Sequence, residues 1–350
     1  MVAIALLTFV PGEMGGSETY VRELLRHLAR GGRCSYRVVL PSLAPDIAGG
    51  LPSEVASEYR AGGTIPRRLL AMTEAAVRPG RLRPRFEQAD VVHYPLTLRL
   101  PTVSRPTVTT LLDVQHLDLP QMFSRAERAF RAVAWARSVR GADRVIVISD
   151  FVRERAVAKL GLDPEAIRVV HLGVDHERLS PGTGPREEFL LYPARRWPHK
   201  NHERLFAAFA LLRRERPGLR LVLTGGGDFG DVPEGVEARG HVPTAEVDDL
   251  MRRASALVFP SLYEGFGLPP LEAMACGCPV ACSSAGSLPE VVGDAARLFD
   301  PRDPEAIAEA VDDVLRDPAE WSRLGVERAR EFSWEKTAAG HDAVYGELTG

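Results

Sequence analysis

Lysine is scarce in this 350-residue chain. Only Lys159, Lys200 and Lys336 occur, and arginine supplies the other strong positive charges. The chain is mildly acidic, with a formal net charge of −3, and its aromatic residues are not interleaved with basic ones. Because nucleic-acid binding needs a basic surface, and single-strand binding needs aromatic stacking platforms, we expect no nucleic-acid partner.

Long apolar runs and metal-ligand cysteine spacings are also missing. No run of about 18 or more apolar residues occurs, so no membrane span is predicted. The apolar stretch 2–10 has neither a preceding basic flank nor a following cleavage site, and we interpret it as a buried strand. The cysteines are Cys34, Cys276, Cys278 and Cys282. Their spacing does not fit zinc, and we expect small buried residues in a reducing, cytoplasmic compartment.

The length suits two domains, and the pattern of short apolar runs alternating with helical periodicity predicts α/β architecture with parallel sheets. Strands are predicted over 91–94 and 144–149, and helices over 124–140 and 150–160, whereas 41–90 is the least regular region. The domains are predicted at 1–174 and 188–332, with a Pro- and Gly-rich linker at 175–187 and a terminal helix at 333–350. Two doubly wound domains imply a cleft lined by the carboxyl ends of strands.

The segment 260–280 carries the strongest chemical signal. Glu264 precedes a Gly-Phe-Gly turn, and Glu272 lies eight residues later in the helix that follows. Carboxylates accept hydrogen bonds from sugar hydroxyls, and a helix N-terminus attracts anions. The two glutamates also suit the acid/base pair of a glycoside hydrolase, but one lies in the loop and the other in the helix. Separate contacts to the two ends of a nucleotide sugar are therefore favoured.

Three further loops follow predicted strands. Arg195 and Lys200 lie five residues apart in one loop, where both are able to neutralise a phosphate. Gly225 opens a glycine run after the next strand. The Gly15-Gly16 pair precedes the first helix, and without Cβ atoms it lets backbone N–H groups approach an oxygen. Its spacing is not that of a dinucleotide-binding fingerprint.

Arginines cluster between Arg67 and Arg85. Because the first 180 residues carry the positive surplus, this cluster is a possible contact with an anionic acceptor or an acidic lipid surface. The competing interpretation is a solvated loop.

These motifs, in this order along nearly the whole chain, resemble glycosyltransferase family 4, whose members are retaining enzymes of GT-B fold. The resemblance rests on Gly15-Gly16, Arg195 with Lys200-Asn201, and Glu264 separated from Glu272 by seven residues, together with Ser149 and the segment 171–175. It implies transfer of a hexose or deoxyhexose from a nucleotide-diphosphate sugar to a hydroxyl acceptor. The Trp-Pro-His-Lys-Asn-His segment favours the mannose or rhamnose type.

The resemblance also implies residue roles. Arg195 and Lys200 would hold the diphosphate, which Gly16 would approach from the first domain. Glu264 would contact the donor sugar and Glu272 the ribose. Backbone N–H groups would come from three consecutive residues, Phe266, Gly267 and Leu268.

One position departs from the family pattern. A His-Asp pair is expected after an N-terminal strand, but the chain has Leu112-Asp113, and His116 follows as a possible substitute. No protein nucleophile is recognisable, so the leaving phosphate is expected to assist the acceptor. No Asp-x-Asp motif accompanies the phosphate site, and metal independence is predicted. A GT-B sugar phosphorylase and a non-catalytic nucleotide-sugar-binding subunit remain alternatives, and peripheral contact with the inner membrane face is an open possibility.

Overall fold

The computed structural model describes residues 1–349, which divide into two compact units. Unit 1 comprises Met1–Gly173 and the segment that starts at Trp334, and unit 2 comprises Val174–Ser333. The segment 175–187, interpreted as a linker, lies within unit 2, and its last residue already opens a strand.

Each unit contains one parallel sheet, and elements are numbered in chain order through both units. Unit 1 has seven strands in the order β3-β2-β1-β4-β5-β6-β7, and unit 2 has six in the order β10-β9-β8-β11-β12-β13. The strands are β1 Val2–Ala5, β2 Tyr36–Leu40, β3 Ser53–Val55, β4 Val91–Tyr94, β5 Thr107–Leu111, β6 Arg144–Val147, β7 Ile167–Val169, β8 Glu187–Pro193, β9 Arg220–Thr224, β10 Val236–Ala238, β11 Ala254–Phe259, β12 Val280–Ser283 and β13 Arg297–Phe299. The helices are α1 Gly16–Gly31, α2 Ile65–Val77, α3 Gln115–Asp118, α4 Arg125–Arg140, α5 Asp150–Leu160, α6 His202–Glu215, α7 Thr244–Arg253, α8 Leu268–Ala275, α9 Leu288–Val292, α10 Pro304–Arg316, α11 Pro318–Ala329 and α12 Trp334–Thr349.

The doubly wound α/β architecture predicted from the sequence is confirmed. In unit 1, β4 and α5 have the predicted bounds, while the apolar stretch 2–10 is a strand only as far as Ala5. There the chain turns, and the Phe9 N–H donates to the Leu6 carbonyl at 2.9 Å. Leu6 and Phe9 remain fully buried, so the long apolar run reflects burial and not a long strand.

The region 41–90 is more regular than predicted. Helix α2 occupies its centre, so much of the arginine cluster between Arg67 and Arg85 lies on or beside a helix and not in a solvated loop. On the inner side of α2, Ala71 and Ala75 pack into a core cluster with Ala3 of β1 and Val92 of β4, and Met72 packs against it. Small inner residues bring the helix close to the sheet.

A buried chain of hydrogen bonds attaches α12 to the other side of the unit 1 sheet. Tyr345 Oη lies 2.8 Å from His93 Nδ1, and His93 Nε2 lies 2.9 Å from Thr110 Oγ1. Thr110 Oγ1 then lies 2.9 Å from Tyr20 Oη, which lies 2.8 Å from His341 Nε2. The chain satisfies polar groups that burial would otherwise penalise.

The donor and acceptor of each of these hydrogen bonds follow from the bond at His341. His341 Nδ1 faces the Thr337 carbonyl oxygen at 2.8 Å, and a carbonyl only accepts. Burial lowers the pKa of His341 to about 4, so the ring is neutral at pH 7, donates from Nδ1 and accepts at Nε2 from the Tyr20 hydroxyl. Tyr20 then accepts from Thr110, Thr110 accepts from His93 Nε2, and His93 Nδ1 accepts from Tyr345. Both histidines are neutral in this arrangement.

The three cysteines of unit 2 are core residues, as predicted. Cys276, Cys278 and Cys282 are fully buried and unpaired, and burial raises the pKa of the Cys276 and Cys278 thiols to about 12. Within residues 1–349, none of the helices combines the length and the apolar character that crossing a bilayer requires.

Candidate active site

The loops that follow β8 and β11 in unit 2 are bound tightly to each other. After β8, residues Pro198–Lys200 form a 3-10 turn, and Asn201 adopts the left-handed conformation with φ 61°. The Asn201 amide donates to the carbonyl oxygens of Pro260 at 3.0 Å and Pro301 at 2.6 Å. In return, the Leu262 N–H donates to the His199 carbonyl at 2.7 Å. Because β8 and β11 are parallel neighbours, both loops lie at the carboxyl edge of the sheet.

This arrangement brings Lys200 and Glu264 into direct contact. Lys200 Nζ lies 2.6 Å from Glu264 Oε1, with side-chain exposures of only 12% and 14%. The ammonium also lies 5.1 Å from the centre of the Phe259 ring, a cation–π distance. A charged pair with so little water around it holds both groups in place and leaves each charge dependent on the other.

The backbone of the Glu264 loop is held by residues that sequence reasoning did not identify. The Ser287 hydroxyl donates to the Phe266 carbonyl oxygen at 2.7 Å and lies 3.1 Å from the Glu264 carbonyl oxygen, which also accepts from the Ser287 N–H at 3.2 Å. Gly286 has φ +68°, and a Cβ there would lie 2.6 Å from the Glu264 carbonyl oxygen. No motif marks these two residues, because their contact with the loop arises only from the fold.

Arg195 and Gly225 meet at the ends of β8 and β9. The Arg195 guanidinium lies 5.7 Å from the centre of the Trp197 ring, which is partly exposed. Gly225 has φ +118°, and a Cβ there would lie 2.7 Å from the Ala194 carbonyl carbon. Gly225 therefore packs against the backbone that carries Arg195. Its predicted contact with a phosphate stays a prediction.

The turn before α8 fits the expected anion-facing backbone in part. Gly267 precedes the helix with φ 114°, and a Cβ there would lie 2.6 Å from Leu288 Cδ2. Phe266 and Leu268 are buried, with 3% and 8% of their surfaces exposed. Helix positions two and three are prolines, which have no N–H. Donors at this helix start are therefore concentrated at 266–268.

Glu272 has a cationic partner. Arg178 Nη2 lies 3.2 Å from Glu272 Oε1, and the same guanidinium is bonded to Asp248. Glu272 keeps about a fifth of its side chain exposed. Arg178 was not identified from the sequence because it lies in the segment interpreted as a linker.

Two histidines beside the pair are neutral at pH 7. Burial lowers the pKa of His199 to about 4, and the charge of Lys200 adds to the effect. Burial likewise lowers the pKa of His202 to about 4, where the ring packs 4.9 Å from Tyr192 and 5.3 Å from Phe229. Lys200 is therefore the cationic group of this turn, with Arg195 and Arg196 before it.

In unit 1, Gly15 and Gly16 lie where the sequence predicts them. Gly15 has φ 54° and precedes α1, and Gly16 is its first residue. The N-cap residue Gly15 has no side chain to cap this helix start, and the Ser17 and Glu18 N–H groups donate to the carbonyl oxygens of Met14 at 3.2 Å and Gly15 at 3.0 Å. The Gly12 N–H of the preceding turn donates to Glu18 Oε2 at 2.7 Å.

His116, the possible substitute for the missing histidine, lies in an aromatic enclosure of unit 1. Its ring centre lies 5.4 Å from that of Trp135 and 6.4 Å from that of Phe123, and Arg131 lies over both aromatic rings. The side chain is 3% exposed, and neither ring nitrogen has a hydrogen-bond partner among residues 1–349. Burial, and secondarily the charge of Arg131, lower its pKa to about 4. The predicted catalytic role of His116 stays a prediction.

Comparisons with known proteins give one answer for both halves. A model of Glycosyltransferase Family 4 matches residues 14–178, and a model of Glycosyl transferases group 1 matches residues 175–332. The chain is 30% identical to an O-antigen chain mannosyltransferase B of Escherichia coli over 70% of its own length and 71% of the relative's. It is 31% identical to a D-inositol 3-phosphate glycosyltransferase of Mycobacterium sp. (strain KMS), over 96% and 86% of the two chains.

Solved structures share the fold at lower identity. Sucrose-phosphate synthase from Thermosynechococcus elongatus superimposes with a TM-score of 0.80 at 22% identity, covering 99% of this chain and 98% of that one. Anabaena HepE in complex with UDP-glucose gives 0.72 at 17% identity, covering 99% of both chains. The chain therefore belongs to glycosyltransferase family 4 and is a glycosyltransferase of GT-B type.

Proposed function

We propose that this family 4 enzyme transfers a hexose or deoxyhexose, with retention of anomeric configuration, from a nucleotide-diphosphate sugar to a hydroxyl acceptor. The observation that carries the proposal is the Lys200–Glu264 pair. It places an ammonium and a carboxylate 2.6 Å apart at the carboxyl edge of the unit 2 sheet, in the same loop system as Arg195. A phosphate needs the cations, and a sugar hydroxyl is suited to the carboxylate.

In this proposal Arg195 and Lys200 hold the diphosphate, and the N–H groups of 266–268 add neutral donors. Lys200 then divides its charge between the phosphate and Glu264. Glu264 keeps a second oxygen that is able to accept from a sugar hydroxyl. Glu272, which is partly exposed, contacts the ribose through the oxygen that Arg178 does not engage.

The donor sugar is proposed from the names of similar proteins. The E. coli relative is named as a mannosyltransferase, and a relative from Mycolicibacterium hassiacum, 34% identical over 60% of this chain and 55% of that one, is named as an MMP alpha-(1->4)-mannosyltransferase. The Anabaena structure contains UDP-glucose. The two mannosyltransferases favour mannose, and rhamnose is retained from the Trp-Pro-His-Lys-Asn-His segment alone. Thermal shift against a panel of nucleotide sugars identifies the donor, because a ligand that binds only the folded state raises the melting temperature.

The proposed reaction occurs on one face of the sugar. The anomeric C–O bond to the diphosphate breaks, the acceptor oxygen forms the new bond, and the acceptor proton passes to the leaving phosphate. Arg195 and Lys200 stabilise the charge that grows on the diphosphate. Because these two side-chain cations stabilise the diphosphate without a metal ion, activity is expected to persist after chelation with EDTA. An enzyme that needs a divalent cation would be inactivated.

The proposal includes the location of the enzyme and the class of its acceptor. We place it in the cytoplasm, with an acceptor that is a glycan, a lipid-linked compound or a small aglycone. The membrane contact predicted through Arg67–Arg85 remains part of the proposal.

Site-directed variants test the assignment. Arg195→Ala and Lys200→Ala should each lower turnover by about 100-fold or more, the scale at which removal of one charge-stabilising group acts. Arg196→Ala is the matched control. The Arg196 guanidinium is exposed and donates to the Asp228 carbonyl, so its removal should leave turnover near normal. Near-normal activity of both Arg195→Ala and Lys200→Ala would overturn the phosphate assignment. Sugar release that needs inorganic phosphate and no nucleotide would support a phosphorylase instead.

A further inference from the structure

Exposed apolar side chains concentrate on two helices of unit 1. Eight large hydrophobic side chains are exposed among residues 1–349, and six of them lie on α2 or α4. They are Ile65, Leu69, Leu70 and Val77 on α2, and Phe130 and Val133 on α4. Single exposed apolar residues are ordinary on soluble proteins, but a concentration of this kind marks an interaction surface.

Helix α2 is apolar on the side opposite its core contacts. Leu69 and Leu70 precede Val77 by about two turns, so all three project from one outer face. Leu70 is 70% exposed and Val77 is 73% exposed. The fully buried residues of the helix are the small Ala71 and Ala75, and Met72 beside them is partly buried against the same core. Most of the large apolar residues of α2 thus face outward, unlike those of an ordinary surface helix in a soluble protein.

Helix α4 lies on the same face of the sheet. The crossovers β3 to β4 and β5 to β6 run in the same direction across the sheet order, and right-handed crossovers in one direction place their helices on one face. The outer side of α4 carries Phe130 and Val133, the second of which is 70% exposed. Two apolar ridges therefore project from one face of unit 1.

The charges beside these ridges are positive and partly unneutralised. Arg68 is paired with Glu13 at 2.6 Å and Arg81 with Glu74 at 2.5 Å. Arg67, near the start of α2, and Arg78, directly after it, have no carboxylate partner within residues 1–349 and are exposed. Helix α4 carries five arginines and one glutamate. Apolar side chains flanked by unpaired arginines complement a lipid surface with anionic headgroups.

We propose that the outer faces of α2 and α4 bind an anionic lipid bilayer, with α2 lying in its interface. Leu69, Leu70 and Val77 enter the acyl boundary, and Arg67 and Arg78 contact lipid phosphates. The proposal is independent of the donor assignment, since it uses no residue of unit 2. Binding to the bilayer would bring the enzyme to a lipid-linked acceptor at the membrane surface.

Vesicle co-sedimentation of the full chain tests this proposal. Vesicles of phosphatidylcholine alone are compared with vesicles in which phosphatidylglycerol replaces part of the phosphatidylcholine, at low and high salt. Binding is expected only to the anionic vesicles and should weaken with salt. The double variant Arg67→Glu/Arg78→Glu should lower the partition coefficient by about 25-fold or more, and Leu69→Gln/Leu70→Gln by about tenfold or more.

The matched control is Arg302→Glu/Arg330→Glu, which makes the same charge change at two exposed positions of unit 2 and should bind as the natural chain does. Equal loss in this control would show a response to net charge and would overturn the proposal. Absence of binding to anionic vesicles would also overturn it, even if the donor still raises the melting temperature. So would self-association that Leu69→Gln/Leu70→Gln abolishes, because a second copy would then cover the face.

Discussion

Lys200 and Glu264 are each other's main electrostatic partner, and this makes their coupling measurable. Both side chains are largely buried, so removing one leaves the other charge poorly solvated. Lys200→Met should lower the free energy of unfolding by about 1–3 kcal/mol. Adding Glu264→Gln should recover part of that loss, because the unpaired carboxylate disappears. Urea unfolding of the two single variants and the double variant measures the coupling, and strictly additive losses would contradict the interpretation.

Gly286 determines the backbone position of Glu264, although no sequence motif identified it. A Cβ at Gly286 would lie 2.6 Å from the Glu264 carbonyl oxygen, so Gly286→Ala must displace the loop as well as strain the backbone. Donor affinity should fall about tenfold or more, which corresponds to about 1.4 kcal/mol.

Gly240→Ala is the control for that prediction. Gly240 has nearly the same φ, +66° against +68°, but a Cβ there would meet no atom within 4 Å. It should strain the backbone equally without moving Glu264. If calorimetry finds equal losses of donor affinity in both variants, loop displacement is not the cause.

At the scale of elements, helix α12 makes the stability of the fold depend on pH through His341. Burial lowers the pKa of His341 to about 4 from its ordinary value of 6.5. Between these values the unfolded chain binds a proton that the folded protein does not, so stability is full above about pH 6.5 and falls as the pH decreases toward 4. His341 alone should contribute about 3 kcal/mol to this loss.

The variant His341→Gln isolates that contribution. It should be less stable at pH 7, because the bonds to Tyr20 and Thr337 change, yet its free energy of unfolding should depend less steeply on pH between 6.5 and 4. Histidines that do not contact His341 are common to both proteins and cancel in the comparison. His93 is the exception, because burial and then the neighbouring His341 lower its pKa, so the variant reports on the His93–His341 pair. Parallel pH profiles would show that His341 binds protons equally in the folded and unfolded states over this range, which would contradict the lowered pKa.

The elements that sequence reasoning predicted well are those whose pattern and burial agree. Strand β4 and helix α5 were predicted with their observed bounds because apolar periodicity and flanking polar residues coincide there. The strands β3 and β10 were missed because Ser-Glu-Val and Val-Glu-Ala lie at sheet edges and carry no apolar run. Helix α2 was missed because most of its large apolar residues face outward and its fully buried residues are alanines.

The same limit applies to the candidate site. Arg195, Lys200, Glu264 and Glu272 were identified because charged and glycine-rich loops follow strands, and the carboxyl edge of a parallel sheet brings such loops together. The direct bond between Lys200 and Glu264 was not predicted. Neither were Arg178 and Ser287, since they act through contacts across 94 and 23 positions of sequence.

At the scale of the whole molecule, the two units differ in how the chain forms them. Unit 2 is one continuous segment with its own six-stranded sheet and buried core, whereas unit 1 needs α12 from the end of the chain. Residues 174–333 alone should therefore unfold cooperatively and bind the donor. Residues 1–173 alone should not fold, because without α12 the buried His93 and Tyr20 lose Tyr345 and His341 as partners.

A joined version of unit 1 separates this cause from a general weakness of the fragment. Val174 and Ser333 form a parallel bridge, so their backbones are adjacent and a short Gly-Ser linker is able to connect residue 173 to residue 334. This joined chain should recover a cooperative thermal transition by circular dichroism. With Tyr345→Phe and His341→Ala it should lose much of its stability, since His93 and Tyr20 are again left without partners in the core. If residues 1–173 fold as stably as the joined chain, then α12 is not required, and the buried hydrogen bonds add little to the stability of the unit 1 sheet.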